Sequence, residues 1–512
     1  MASLPVHIVW FKRDLRVHDH QPLHQAAPQG PVLPLYVVEP SVVTADDYGT
    51  RHWEFVAGSL RELTSNLTKL GQPLIVRIGE VVEVLTDLRD QLEEVVLWAH
   101  EETGNQITYQ RDEAVRRWAK QHAVPFHELP QNGVIRALRD RDGWAKRWEQ
   151  RMTAPTVDAP TTLTPVPGIT SDEVPTAEML GLPALQGTVQ RPGEAAAHET
   201  LRSFLHERGE VYHRALSSPV SAYDHCSRLS PHLAWGTISL RTVVQALRQR
   251  RAELADNKSP EVADWKKSFR AFEARLHWQS HFVQKLEQEP RIEAESFIPA
   301  YDALRADAFN EDHYAAWCAG RTGFPMVDAC VRALCHTGYL NFRMRAMLVS
   351  FASYDLWLDW RRYGHFLARE WTDYEPGIHY SQLQMQSGTT GINTLRIYNP
   401  TKQGKDHDPE GVFIRQWVPE LAQVPLKYLH EPNKMPPEVQ READCVIGKD
   451  YPEPLVDHVV AARAARTKIY ELRRQPELRQ QAEAVMERHG SRKRPSARRP
   501  KKSKPRSSTP SS

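Results

Sequence analysis

The sequence predicts an α/β Rossmann-like domain with a parallel sheet at the N-terminus, followed by a large all-α domain. Three observations carry this reading. The first 150 residues alternate short apolar, β-rich runs with amphipathic helical stretches. Residues 151–195 lose all periodicity, and residues 196–487 read as long helices with few strands. At 512 residues the chain has length for more than one domain.

In the first segment, "HIVWF" (7–11), "PVLPLYVV" (31–38), "PLIVRI" (73–78), "EEVVLWAH" (93–100) and "VPFHEL" (124–129) read as strands. Near-continuous apolar strands separated by helices indicate a parallel sheet covered on both faces. Between them, "HWEFVAGSLRELTSNLTKLG" (52–71) has helical spacing and a glycine stop. The first strand is followed by "KRDLRVHDH" and not by GxGxxG, which argues against NAD. "TAPTVDAPTTLTPVPGITSDEVPTAEMLGLPALQG" is rich in Pro, Thr and Gly, so 151–195 is expected to be an interdomain linker.

The helical segment is patterned for burial. "WKKSFRAFEARLHWQSHFVQKLEQE" (265–289) lines up Phe269, Phe272, Leu276, Val283 and Leu286, and 326–360 reads as two helices around "TGYLN". Residues 488–512 hold ten Lys and Arg and no acid, and are expected to form a disordered basic tail. The remaining chain carries 56 basic against 64 acidic residues, so polyanion binding there needs a local patch.

No run of about 20 apolar residues suggests a membrane span, and the N-terminus lacks signal-peptide architecture. The expectation is a soluble, cytoplasmic protein, nucleoid-associated if bacterial, with a nuclear signal as the other reading of the tail. Five cysteines show no CxxC pair and no ordered Cys/His spacing. Buried thiols are expected in place of zinc ligands, with a cluster drawn from distant cysteines as the alternative.

Four stretches look specialised. In "CSRLSPHLAWGTIS" (226–239), Ser230 and Pro231 mark a helix start, read first as a cap and second as a phosphate cradle. "RLHWQSHF" (275–282) surrounds Trp278 with polar neighbours, as at the mouth of a cleft where a ring stacks. "LNFRMRAM" (340–347) sets Arg343 and Arg345 in an apolar helix, where buried guanidiniums need partners such as Asp373. "DYEPGIHYSQLQMQSGTTG" (373–391) is polar yet almost uncharged after Glu375, and reads as a loop framing a flat heterocycle. Its glycines, Gly377, Gly388 and Gly391, permit close backbone approach.

Taken together, these stretches resemble the photolyase/cryptochrome flavoprotein family over about residues 5–425. "VWFKRDLRVHDH" resembles its opening strand and turn, "CSRLSPHLAWGTIS" its TSxLSPxLxxGxIS segment, and "WCAGRTGFPMVDACVRAL" its WxxGxTGxPxVDAxMRxL segment. "NPTKQGKDHDPEGVFIRQWVPEL" is similar to the stretch that follows the flavin-binding core. The resemblance implies FAD, held by Tyr212 and by Cys226, Ser227, Arg228, Leu229 and Ser230. Gln279, Arg345 and Asp373 would surround the isoalloxazine, Tyr374 and Glu375 would also bind the cofactor, and His379 would face flavin N5. A second, antenna chromophore (a folate or a deazaflavin) is implied without assigned residues.

The implied activity is blue-light-driven repair of cyclobutane pyrimidine dimers in damaged DNA, by a monomer. Trp278 matches the stacking residue, and Arg275, Phe342, Arg343 and Gln403 match DNA-facing positions. Trp317 and Trp360 match two members of the tryptophan triad that photoreduces the flavin. Two departures motivate the alternative, a cryptochrome-type photoreceptor without repair. Arg275 stands where the family's dimer-binding Glu is found, and Leu383 stands where the flavin-proximal Trp is found.

Overall fold

All five predicted strands form. β1 (Val6–Phe11), β2 (Val32–Val38), β3 (Ile75–Ile78), β4 (Val95–His100) and β5 (Phe126–Leu129) make one parallel sheet in the order β3-β2-β1-β4-β5. The computed structural model describes residues 4–490 apart from 258 and 307. Ile8 of β1 sits opposite Leu33 and Leu97. Alternation along β1 sends Ile8 and Trp10 into an apolar layer with Leu85 and Val115, and Val9 and Phe11 into one with Trp53 and Leu60. That two-sided burial is why the strands read as continuous apolar runs.

Strand order reverses between β1 and β4, so a crevice opens beyond their C-terminal ends. Asp14, just past β1, ties this end together. It accepts hydrogen bonds from His20 Nε2 at 2.9 Å, His100 Nδ1 at 2.7 Å and the Lys12 amide at 2.7 Å. Burial lowers the His100 imidazole to about 3, so it donates as a neutral ring. The next residue out, Arg13, leaves the sheet altogether and reaches the helical half.

Helix α1 (Thr50–Lys69) covers one sheet face, starting where His52 Nδ1 accepts the Gly49 amide at 3.2 Å. The irregular stretch begins after the helix Trp144–Thr153 and ends at the helix Glu194–Ser203. It lies along the sheet domain, burying Leu163 and Val166, and its Pro175 carbonyl accepts from Trp53 Nε1 at 3.0 Å.

The helical half is built on α2 (Pro260–Gln288), α3 (Pro325–Thr337), α4 (Phe342–Ser350), α5 (Trp360–Glu370) and α6 (Pro376–Ser387). α2, α3 and α6 each begin with a proline in the first turn, where its missing N–H costs nothing. The pair expected over 326–360 is α3 and α4, but α4 continues as a π-helical turn, Phe351–Asp355, before α5. The last helix, Pro476–His489, takes in Arg488 and His489, the first residues of the expected tail, because His489 Nε2 is hydrogen-bonded to buried Glu289 at 2.5 Å. Residues 491–512 of that tail lie outside the described residues.

One expectation needs correcting. Most of 373–391 is not a loop: Pro376–Ser387 is the buried helix α6. Its polar side chains serve neighbouring backbone. Gln384 accepts from the Phe297 amide at 2.6 Å and donates to the Ile292 and Glu295 carbonyls at 2.8 and 2.9 Å. A helix that hydrogen-bonds irregular chain around it needs amides where a core helix would carry leucine.

α6 crosses α2 at Gly377, where an added Cβ would stand 2.5 Å from Val283 Cα. Gly377→Ala must therefore push backbone apart, and should destabilise by about 1–3 kcal/mol, the usual cost of overpacking. A urea titration monitored by circular dichroism checks this.

Candidate functional site

The segment after the short helix Pro219–His225 is held in an unusual backbone conformation. Arg228 has φ of 58°, in the left-handed region that a side chain disfavours. Its carbonyl accepts from Gln190 Nε2 at 2.7 Å. Arg208 donates to the carbonyls of Cys226 and, at 2.6 Å, Ser227. The Arg228 guanidinium lies 3.7 Å from the Tyr339 ring centre and 4.3 Å from that of Tyr223, with a buried Nη1 that has no partner. Leu229 anchors the segment in a core cluster that also contains Tyr212. The expected Ser230 cap is absent: Leu229 is the N-cap and makes no side-chain bond, while the Ser230 hydroxyl is turned to Asp373.

Asp373 is the centre of the site. Arg345 meets it with two parallel bonds, Nη1 to Oδ1 at 3.0 Å and Nη2 to Oδ2 at 2.9 Å. Arg345 is itself fixed by Nε donating to the Leu340 carbonyl at 2.8 Å and by stacking 4.0 Å over Trp371. Burial pushes the Asp373 carboxyl up, but Arg345 and Ser230 more than offset it, so it ionises below the usual range. Beside it, Glu375 lies 3.4 Å from Arg13, and burial holds its carboxyl above the ordinary value. Gln279 lines one narrow cleft with Arg13, Glu102 and Glu375.

On the open side lie the DNA-facing candidates. Trp278 and Phe342 are 38% and 43% exposed, unusual for large rings in this half. The Arg275 guanidinium lies 5.5 Å over Phe342, and Arg275 also hydrogen-bonds the Tyr212 hydroxyl. Burial, the larger cause, raises that phenol to about 12. Gln403 Oε1 and Arg343 Nε are buried without partners.

The aromatic candidates divide. Trp317 is fully buried against Tyr363 and Phe366, both at 5.6 Å between ring centres. Trp360 lies 6.4 Å from Tyr380, which lies 5.2 Å from His379, which lies 5.2 Å from Tyr374. His379 donates from Nε2 to the Gly364 carbonyl at 3.0 Å, and burial lowers it to about 4, so the ring is neutral. Leu383 is buried against Gly364.

The structure thus gathers Tyr212, Cys226, Arg228, Ser230, Arg275, Arg345 and Asp373 around one site, and sets Trp317 apart in the core. Sequence reading missed Asp47, Arg208, Tyr339 and Asn341. Asp47 comes from a segment remote in sequence, Arg208 from 18 residues before Cys226, and neither carries a local pattern. Tyr339 and Asn341 sit in "TGYLN", which reads as an ordinary helix junction.

Residues 7–141 match the family model described as DNA photolyase, and residues 272–471 match the one described as FAD binding domain of DNA photolyase. The deoxyribodipyrimidine photo-lyase of Streptomyces griseus is 30% identical over 479 residues, 90% of this chain and 98% of that protein. Cryptochrome DASH of Gloeobacter violaceus is 27% identical over 490 residues, 90% of this chain and 95% of that protein. The crystal structure of a class III photolyase from Agrobacterium tumefaciens superposes with a TM-score of 0.80 at 25% identity, covering 93% of this chain and 99% of that one.

Removing the Asp373 charge leaves Arg345 without its partner. Asp373→Asn should cost about 3 kcal/mol at neutral pH, the low end for breaking a buried pair because Arg345 keeps some exposure. Since the folded carboxyl ionises below its unfolded value, this stabilisation is complete at neutral pH and is lost as pH falls below about 4. Urea midpoints of both proteins should therefore differ most at neutral pH and converge in acid.

Proposed function

This chain belongs to the photolyase/cryptochrome family and carries its FAD-binding domain, and from that premise we propose that it is a light-driven DNA repair lyase acting on cyclobutane pyrimidine dimers. The observation that carries the reading is the pairing of a half-buried, doubly bonded Arg345–Asp373 ion pair with an open mouth of Trp278, Phe342 and Arg275. A cofactor site needs the first, and a nucleic-acid ligand uses the second.

The residues present suit FAD. Arg228 Nη1 and Asn341 Oδ1 are buried polar atoms without protein partners among the described residues, and such atoms call for a polar ligand. Tyr212 and the Cys226–Ser230 segment would hold the phosphates and ribitol, with Arg228 the cation. Gln279, Arg345, Asp373, Tyr374 and Glu375 would edge the isoalloxazine, and His379, neutral, would face N5. When bound, the flavin supplies the light-driven one-electron chemistry.

Trp278 and Phe342 offer apolar faces on which a base taken out of the duplex can stack. Arg275, Arg343 and the basic tail would meet phosphates, contributing affinity without sequence preference. Arg275 replaces the acid that resemblance leads one to expect, so lesion contact would be by cation and ring in place of carboxylate. The photoreceptor reading has its own support in Leu383, which breaks the expected tryptophan path. A cavity at the strand-order reversal, edged by Trp10, Tyr36, Tyr48 and Trp53 with Arg111 and Glu39, measures about 70 Å³, too small to enclose a folate or a deazaflavin as it stands. Among the described residues no helix is long and apolar enough to cross a membrane. The proposed working form is a cytoplasmic monomer on damaged DNA.

The test is repair in vitro. Protein with chemically prereduced flavin should remove thymine dimers from an oligonucleotide under blue light and not in the dark. Absence of repair with reduced flavin bound would sink the lyase reading and leave the photoreceptor. Trp278→Ala should weaken binding of dimer-containing DNA by about 1–3 kcal/mol, the worth of one base–aromatic stack, measurable by fluorescence anisotropy.

A further inference from the structure

We propose that Tyr374 and Tyr380, which share the carboxylate of Asp47, form a redox-active tyrosine pair that supplies electrons from the position Leu383 leaves without a π system. The inference rests on the FAD reading above and adds an electron source to it.

Leu383 cannot carry a hole, and it is packed against Gly364. One turn earlier on α6, Tyr380 occupies the space between Trp360, 6.4 Å away, and His379, 5.2 Å away. The Tyr374 and Tyr380 hydroxyls are 3.3 Å apart. Both donate to the same oxygen of Asp47: Tyr374 closely, Tyr380 at 3.4 Å. That oxygen also receives Asn105 Nδ2 at 3.0 Å, and Asp47 has no cation on it among the bonds described. All three residues are buried.

An ordinary buried network would need one phenol on the carboxylate. Here two phenols and an amide donate to one carboxylate oxygen, and with only neutral donors among the bonds described Asp47 remains a base toward either phenol. Burial, with Asp47 adding to it, keeps both tyrosines protonated at rest. Oxidation reverses this preference, because a phenol that has lost an electron is a strong acid and needs a base within hydrogen-bond reach. Trp360 has no such base, since its Nε1 donates to the Ser296 hydroxyl at 3.3 Å. A hole entering this part of the chain therefore comes to rest on tyrosine, where the proton can leave.

The step balances as follows. Tyr380 would give one electron to a photo-oxidant, a role light-excited flavin would fill when bound; its phenolic O–H bond would break and the proton would form a new O–H bond on Asp47 Oδ2. The chain would then hold a neutral tyrosyl radical and a protonated Asp47, the electron residing on the photo-oxidant. An external thiol later returns the electron, and Asp47 returns the proton.

The experiment uses the full chain. Flavin absorption is recorded first for wild type, Tyr380→Phe, Tyr374→Phe and Asp47→Asn; a wild type without flavin would overturn the FAD reading and not this one. Flavin-loaded protein is then flashed with blue light and followed by transient absorption and electron paramagnetic resonance. The expected result is a tyrosyl signal in wild type, formed several-fold more slowly in heavy water, and lost in Tyr380→Phe. Asp47→Asn should slow its formation at least tenfold; if that variant fails to fold, Tyr374→Phe reports on the shared carboxylate by changing the radical's hyperfine pattern. A second arm needs no flavin: a ruthenium polypyridyl photo-oxidant should generate the same radical in wild type and not in Tyr380→Phe. Equal photoreduction in wild type and Tyr380→Phe, with a tryptophanyl radical alone, would overturn the proposal.

Discussion

The structure depends on how the segment Trp371–Glu375 is gripped. Five polar groups from elsewhere in the chain hold it. Trp235 Nε1 donates to the Thr372 carbonyl at 2.8 Å, His52 Nε2 to that of Trp371 at 2.9 Å, and Arg13 Nη2 to that of Tyr374 at 2.7 Å. Asp47 takes the Tyr374 hydroxyl, and Arg345 takes Asp373. Buried carbonyls left without donors would each be expensive, so the donors reaching the Trp371, Thr372 and Tyr374 carbonyls fix this irregular turn, while Thr372 Oγ1 and Glu375 Oε1 stay buried without a partner among the described residues. Asp373 is placed by that arrangement and not by the helix that follows it.

Three of those five groups belong to the α/β half. Arg13 follows directly from β1, Asp47 precedes α1, and His52 opens it. The sheet thus does more than carry its own crevice: its first strand and first long helix set the backbone on which the candidate cofactor site is built. Trp235 closes the same contact from the segment between Arg228 and α2, its ring tilted against His52 at 5.4 Å and lying under Arg13 at 4.9 Å. A change in any of these would be felt at Asp373, some distance in sequence from all of them.

Much of this was legible in the sequence, for identifiable reasons. The strands were readable because burial on both sheet faces forces unbroken apolar runs. Arg345 was readable because a guanidinium in an apolar helix demands a partner. Helix α6 was misread because its amides and hydroxyls look like loop chemistry, when they satisfy loops packed around it. Ser230 was misread because a serine before proline usually caps, whereas here a carboxylate from another segment takes the hydroxyl. Asp47 and Arg208 had no signal at all. Asp47 acts across more than 300 residues and Arg208 across 18, both beyond the reach of a helical or strand pattern.

The same remoteness bears on why Leu383 can be tolerated. If electron supply depended on α6 alone, replacing an aromatic ring by an aliphatic side chain would cut it. Tyr380 and Tyr374 remain, but a buried phenol is a poor donor until something accepts its proton, and α6 offers only amides, hydroxyls and a neutral His379. The acceptor comes from the other half of the molecule, through Asp47. On the proposal, the carboxylate that would take the tyrosyl proton comes from the other half of the molecule, through the interface that also positions Asp373. Structural clamp and proton acceptor are then the same contact, and neither role can be altered without the other.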